Sequence, residues 1–278
     1  MTLYRFNTTG ARFAMALMAV SALIPQPSYA DESSFQVSAG YDYSSGKYGQ
    51  AVTTSIETLP VSMNYINGPW SLALSVPYIR ITGNGTVIPG AGGPTTFNNF
   101  GSGLFGGGMG GGSSSTQTIT NSGMGDITAS MGYGFFPASG NFYELSAKVK
   151  FGTADVNTGL GTGENDYYLQ YDAVLGGDSV SPFFTLGYVI TGDSASYIYK
   201  DVPYASLGLI FKTGQSSSFG VSYDYRQATV DGSDALQQAN LFISWSSSKQ
   251  WTTTLSALTG FTDSSPDVGV GLIFSRSY

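Results

Sequence analysis

Residues 268–278, at the end of the chain, read V-G-V-G-L-I-F-S-R-S-Y. Successive side chains along a strand point to opposite faces, so an extended conformation separates this stretch into two rows. The apolar row consists of Val268, Val270, Leu272, Phe274 and Tyr278, and the row of small residues consists of Gly269, Gly271, Ser275 and Ser277. A strand with these two faces that ends on an aromatic residue is typical of the closing strand of a membrane β-barrel.

The same alternation recurs from residue 34 onward, beginning with the row Phe35, Val37, Ala39, Tyr41 and Tyr43. Counted along the chain, it indicates 12 strands whose connections are alternately short and long. An even strand number with short periplasmic turns and longer outer loops is the arrangement of bacterial outer-membrane barrels. We therefore predict an all-β fold, a transmembrane antiparallel up-and-down β-barrel of about 12 strands.

The first 30 residues have the pattern of a secretory signal peptide. A basic section with Arg5 and Arg12 precedes an apolar run over residues 13–24. Ser28-Tyr29-Ala30 then forms a small-x-small cleavage site. The rival interpretation is an anchor helix, but the run is shorter than the roughly 18 to 20 residues that span a bilayer. The predicted organisation is thus a cleaved signal peptide over 1–30 and an outer-membrane barrel over 31–278.

The composition suits a chain that places uncharged surface against lipid. Only 10% of the residues are charged and 14% are aromatic, whereas soluble domains average about 25% charged residues. A soluble β-sandwich would also alternate, but its inward face would be apolar and tightly packed. Here the second face carries Gly, Ser, Thr and charged residues, which favours the membrane barrel.

Aromatic residues concentrate beside the short turns, where a girdle at the lipid–water interface is expected. Its predicted members are Trp70, Phe135, Tyr143, Phe211, Phe219, Trp245, Trp251 and Tyr278. Arg276 falls on the lipid-facing row, which is tolerable near the interface because a long side chain can extend to the headgroups.

Charged residues on the inward row are the candidate lumen-lining residues. They are Asp42, Glu57, Asp126, Glu144, Lys148, Lys150, Asp166, Asp172, Asp224 and Arg226. They can simply neutralise one another inside the barrel, since buried charges need partners. Alternatively, Lys148 and Lys150 create a local field at a constriction that selects permeants.

A long Gly/Ser-rich segment, residues 82–124, lacks charged residues and is predicted to be an extracellular loop. Its apolar residues could fold over the mouth and contact an apolar solute, or the segment could remain a disordered outer loop. The candidate loop contacts are Phe97, Phe100, Leu104, Phe105 and Met109.

The residue composition excludes several kinds of catalytic and metal site. The absence of Cys and His removes disulfides, thiolate metal sites and Ser-His catalysis. A hydrolase that uses carboxylates stays open, but no spacing requires one, and we predict no catalytic residues, no cofactor and no metal. Loss of Arg5 and Arg12 with the signal leaves nine basic against 18 acidic residues, which argues against nucleic acid as a partner.

Several short motifs resemble the outer-membrane protein family of the meta-pathway of phenol degradation. They are L-S-V-P-Y at 74–78, G-M-G-D-I-T at 123–128, F-G-T-A-D at 151–155, G-L-G-T-G-E-N-D at 159–166 and T-L-G-Y at 185–188. The family's usual Pro-Thr-Gly-Asp is Gly-Thr-Ala-Asp here, at 152–155. The resemblance implies a barrel that admits aromatic or other hydrophobic compounds, and it brings no catalytic residues.

The expected function is a channel or uptake protein that passes small solutes, aromatic or hydrophobic compounds among them, across the bacterial outer membrane. The expected partners are outer-membrane lipid, a small-molecule solute and the barrel-assembly machinery, which would bind the C-terminal strand. A non-conducting structural or adhesive barrel that acts through its extracellular loops remains the alternative.

Overall fold

The computed structural model describes residues 33–89, 107–109, 118–137, 140–193 and 199–278. These residues form an antiparallel sheet that closes on itself, because β3 pairs both with β2 and with the strand line of β6 and β7. The described part of the chain contains no helix with the length and apolarity that a transmembrane helix requires.

The strands, in chain order, are β1 (Ser34–Gly46), β2 (Thr54–Asn67), β3 (Trp70–Gly83), β4 (Val87–Pro89), β5 (Gly107–Met109), β6 (Ile119–Met124), β7 (Ile127–Phe135), β8 (Phe142–Phe151), β9 (Asp166–Val174), β10 (Val180–Ile190), β11 (Val202–Lys212), β12 (Ser217–Arg226), β13 (Leu236–Ser246), β14 (Trp251–Gly260) and β15 (Val268–Ser277). β4 and β5 pair only with each other. β6 and β7 lie end to end along β3 and count as one strand of the wall, which confirms the predicted 12-stranded barrel.

The last strand closes the barrel on the first. β15 pairs with β1 over ten residue pairs, from Gln36 opposite Ser277 to Ser45 opposite Val268. Val268, Val270 and Phe274 are exposed on the outside, whereas the small residues between them are buried. The closing role predicted for residues 268–278 is therefore confirmed.

Pro60 interrupts one ladder without ending its strand. β2 continues through it, and Pro60 lies opposite Pro77 in the pairing with β3. In the pairing with β1, the register omits the two positions between Val61 and Thr58. This gap is expected, since proline has no N–H to donate to a ladder.

The two ends of the barrel differ. One end, called the turn end, has the short connections that follow β2, β7, β9, β11 and β13; the other, called the loop end, has the longer connections. Girdle aromatics cover the outside at the turn end: Trp70 packs edge-on against Tyr133 at 4.8 Å, and Phe211 stacks on Phe219 at 4.6 Å. Arg276 lies over the Trp251 ring at 5.4 Å, so its charge stays at this rim, where water is near.

The long loop is shorter than predicted. Within 82–124, β3 continues to Gly83, and β6 occupies Ile119–Met124 as a continuation of the wall. The pairing of β6 with the end of β3 provides hydrogen bonds for backbone N–H and C=O groups that would have no partner in a loop. Between Ile119 and Met124 the residues are polar or small, Thr-Asn-Ser-Gly, so no apolar row marks a strand there in the sequence.

Candidate functional site: the barrel interior

An ion-pair triad occupies the loop end of the interior. The Lys150 Nζ lies 3.1 Å from Asp126 Oδ2 and 3.0 Å from Asp166 Oδ2, and all three residues are buried. The carboxylates also accept backbone N–H groups, from Ala154 to Asp126 at 2.9 Å and from Gly192 to Asp166 at 3.0 Å. Lys150 is therefore neutralised where it stands, and the triad ties the wall to two outer loops.

Lys148 is placed differently from Lys150, although only one residue separates them. It is half-buried, and no acid lies at ion-pair distance from it among the described residues. Its Nζ lies 4.1 Å from the centre of the Tyr168 ring, on the neighbouring strand β9. An ammonium above an aromatic ring gains a favourable cation–π interaction, but the ring does not neutralise it.

Glu144 and Asp172 lie directly opposite each other on β8 and β9, and both are buried. Ser71 donates to Glu144 at 2.5 Å, and Thr185 donates to Asp172 at 2.5 Å. Gly132 makes room for this arrangement, because a Cβ there would collide with the Glu144 carboxylate. Neutral hydroxyl donors thus hold two buried acids without any basic partner at ion-pair distance among the described residues.

Asp224 and Arg226 lie on the inner face of β12. Asp224 accepts from Ser206 at 2.5 Å, from Asn240 at 2.5 Å and from Gln238 at 3.2 Å, so neutral donors fill its acceptor sites. Arg226 is 6% exposed. Its Nε and Nη1 have no hydrogen-bond partner within the described ranges.

Asp42 also faces inward, as predicted, buried opposite Gly271. The inward placement predicted for Glu57 is wrong. Residues 57 and 59 lie on the same face of β2, and Glu57 is half-buried on the outside, opposite Arg80. Near the loop end the outer surface leaves the apolar band, so a charge that lies opposite an arginine is tolerable there.

Three apolar clusters share the interior with these charges. They were not predicted from the sequence, because the predicted lumen-lining candidates are all charged residues. The turn-end cluster consists of Phe142, Val174, Phe183, Ile210 and Phe242, with Phe136 packed against it. The tyrosine cluster consists of Tyr168, Val189, Val202 and Tyr204. The loop-end cluster consists of Tyr48, Ile56, Ile79, Ile81, Val87, Ala154 and Leu160.

The tyrosine cluster depends on a close approach at Gly187. A Cβ on Gly187 would collide with the Tyr204 ring. Without one, Tyr204 lies across β10 and donates its hydroxyl to Gln170 Oε1 at 2.9 Å. The sequence did contain a signal for this cluster: inward-facing apolar residues on one strand and an inward-facing glycine on the next. Only the strand register, however, shows which of these residues are neighbours.

Tyr48 lies in the connection after β1, outside the strands, and closes part of the loop end. It is fully buried with a positive φ of 49°, and its hydroxyl lies 2.9 Å from Ser44 Oγ. Burial raises the pKa of Tyr48 well above its ordinary value; Asp267 adds to the rise and the hydrogen bond with Ser44 opposes it.

The outer loops form a cleft of about 520 Å³ above the wall, lined by residues of the β3–β4 and β6 region and of residues 156–164. Its apolar lining includes Ile81, Val87 and Ile119, and its polar lining includes Asn121 and Glu164. Such a mixed lining gives the loop end a recess that a small solute can enter.

The structure describes the remaining loop residues only in part. No group of three or more His, Cys, Asp or Glu able to hold a metal lies within the described residues. Asp155 accepts from the backbone N–H of Asn157 at 2.9 Å, and so caps a short 3-10 turn. The predicted contacts Phe97, Phe100, Leu104 and Phe105 lie outside the described residues, and of Met109 only the backbone, in β5, is described.

Comparison with known proteins agrees with the architecture. The solved KdgM porin matches with a TM-score of 0.53 and 9% identity, over 87% of this chain and 99% of that chain. The chain has an outer-membrane barrel fold. At this identity the likeness concerns the fold alone.

Other solved barrels match with lower TM-scores. The NanC porin has a TM-score of 0.49 and 9% identity over 88% of this chain and 98% of that chain. A FadL homologue of Pseudomonas aeruginosa has a TM-score of 0.43 and 12% identity over 99% of this chain and 98% of that chain. No family model matches the chain, and no curated protein matches it. The resemblance to the phenol meta-pathway family therefore stays a sequence-based prediction.

Proposed function

We propose that the barrel is a channel or uptake protein that passes small solutes across the bacterial outer membrane. The observation that carries this proposal is Lys148, an inward-facing cation that is half-buried and has no acid at ion-pair distance among the described residues. A cation that serves structure alone gains from a partner of opposite charge, as Lys150 does with Asp126 and Asp166. An unneutralised charge on the lumen wall sets the local field that permeants experience.

The class of solute follows from the other inner-face residues. Apolar and aromatic clusters lie at the loop end, around Tyr168 and at the turn end. Ligand sites are typically lined by apolar and aromatic side chains with a few polar groups. We therefore propose aromatic or other hydrophobic compounds as solutes, in agreement with the resemblance to the phenol meta-pathway family. Lipid of the outer membrane and the assembly machinery acting on β15 are the accompanying partners.

A non-conducting barrel that acts through its loops is the second candidate. It is favoured by the close packing of the inner face, where Phe183, Gln238 and Ser244 are at most 1% exposed. In that case the mouth and its cleft would be the functional surface.

Conductance separates the two candidates. The refolded barrel is inserted into a planar bilayer, and single-channel current is recorded with and without phenol; liposome swelling measures uptake of uncharged solutes. Current steps that phenol blocks, together with phenol-driven swelling above that of empty liposomes, support the channel. A folded barrel, identified by its compact band in unheated gels, that gives neither signal contradicts it.

A further inference from the structure

Two cations lie near Tyr168 inside the barrel, and neither has an acid at ion-pair distance within the described ranges. Lys148 lies over the Tyr168 ring at 4.1 Å. Arg226 lies opposite Tyr204 in the pairing of β11 with β12, and the Tyr204 ring meets the Tyr168 ring at a centroid distance of 6.4 Å. We propose that Lys148, Arg226 and Tyr168 form a binding site for a small aromatic carboxylate. The inference rests on the proposed function and names a solute class for it.

Arg226 supplies the first argument. It is 94% buried, and its Nε and Nη1 lack hydrogen-bond partners in the described part of the chain. A guanidinium cannot lose its charge in a protein, so burial without partners is costly. Its planar array of N–H donors matches a carboxylate in a two-point geometry. An oxyanion such as a carboxylate is therefore a suitable partner for this guanidinium, and a bound anion would offset the cost of burial.

The nearby acids are already engaged, so none can take the place of a ligand. Asp166 is paired with Lys150 at 3.0 Å and accepts from the Gly192 N–H. Asp172 accepts from Thr185 and Gln170, and Asp224 accepts from three neutral donors. These carboxylates attract Lys148 and Arg226 from a distance without satisfying their N–H groups.

The aromatic part of the ligand is indicated by the tyrosine cluster. Tyr168 and Tyr204 meet edge-to-face with ring centroids 6.4 Å apart, and the fully buried Val189 and Val202 pack behind these rings. A ring that contacts this surface while its carboxylate binds Arg226 and Lys148 uses both properties of the site. A purely aliphatic or inorganic anion would use only the charges, and a neutral phenol would use only the surface.

The test uses the refolded full barrel in detergent and three probes: benzoate, benzyl alcohol of the same size without charge, and acetate without the ring. Affinities are measured by calorimetry. Benzoate should bind at least about tenfold more tightly than either of the other probes, because only benzoate offers both a charged acceptor for the cations and a ring for the tyrosines. Equal binding of benzoate and benzyl alcohol overturns the role of the cations, and equal binding of benzoate and acetate overturns that of the ring.

Variants then locate the site. Arg226→Gln and Lys148→Met should each weaken benzoate binding about tenfold or more while leaving benzyl alcohol unchanged, whereas Arg80→Gln, on the outer face, should have no effect on either. Unaltered benzoate binding in both inner-face variants places any binding elsewhere and overturns the assignment. If Arg226→Gln does not fold, Lys148→Met and the three-probe comparison still decide the question.

Failure of this inference is distinguishable from failure of the proposed function. If the barrel conducts and its liposomes swell with phenol, but benzoate does not bind, the proposed channel function stands and the carboxylate site is overturned. If the barrel gives no conductance but binds benzoate in a way that depends on Arg226, the carboxylate site stands and the proposed passage of solutes is overturned.

Discussion

Lys150 and Asp166 lie directly opposite each other on β8 and β9, with Lys150 Nζ 3.0 Å from Asp166 Oδ2. Asp126 contacts the same ammonium from the other side at 3.1 Å, so one lysine holds two buried carboxylates. Only the packing of the loop end gives Lys150 these partners, while Lys148 on the same strand points to Tyr168.

Replacing Lys150 by Met should lower the free energy of unfolding by about 3–5 kcal/mol, because Asp126 and Asp166 would remain buried without a counter-charge. Urea unfolding of the barrel in lipid vesicles, followed by tryptophan fluorescence, measures this. Lys249→Met, in an exposed turn, is the control and should leave the midpoint unchanged. Adding Asp126→Asn and Asp166→Asn to Lys150→Met should recover part of the loss; an undiminished loss would argue against the triad.

Gly132→Ala should destabilise the wall by about 1–3 kcal/mol, since an added side-chain atom overpacks a filled site. A Cβ at this position would collide with the Glu144 carboxylate and lie 2.5 Å from Ser71 Oγ. Gly214→Ala is the matched control, in an exposed turn where the only atom close to an added Cβ is Ser217 Oγ, 3.2 Å away. Equal unfolding midpoints for the two variants would show that Glu144 does not need the space.

Phe183→Ala tests the turn-end cluster as a barrier. Phe183 is 1% exposed inside the barrel, and Phe184 lies next to it on the outer face. Removing the inner ring should lower the free energy of unfolding by about 3–5 kcal/mol. It should also increase single-channel conductance, because the apolar cluster that fills the turn end of the interior then loses one of its rings. Phe184→Ala should leave conductance at the wild-type value. If both variants conduct alike, the cluster does not limit passage.

Tyr48 gives the loop end a dependence on alkaline pH. The unfolded tyrosine loses its proton near pH 10, whereas burial holds the folded pKa of Tyr48 higher. Above about pH 10 the folded state binds a proton that the unfolded state has lost, so this contribution to stability is present below that pH and is lost as pH rises. Tyr48→Phe should therefore show a shallower decline in unfolding midpoint between about pH 9 and pH 11. Parallel declines in the two proteins would contradict the burial of this hydroxyl.

The charged residues show how far alternation alone reaches. Nine of the ten predicted lumen residues lie on inward registers, because parity along a strand fixes the face whatever the neighbours are. The polarity of Glu57 favours the inward face, but its parity along β2 is that of Leu59, and both residues lie on the outside. Residues 119–124 were missed because a strand near the loop end lies beyond the apolar band and lacks its pattern.

The sequence by itself determined the closed barrel, the number of its strands, the aromatic girdle and the closing role of 268–278, because period-two alternation, turn lengths and lipid exposure are local properties. Only the tertiary structure decided which charges meet. The register between strands pairs Lys150 with Asp166 and sets Lys148 beside Tyr168, and the filling of the interior buries Arg226 without hydrogen bonds to Nε and Nη1 in the described residues. Contacts across the interior join residues far apart in the chain, so no local pattern specifies them.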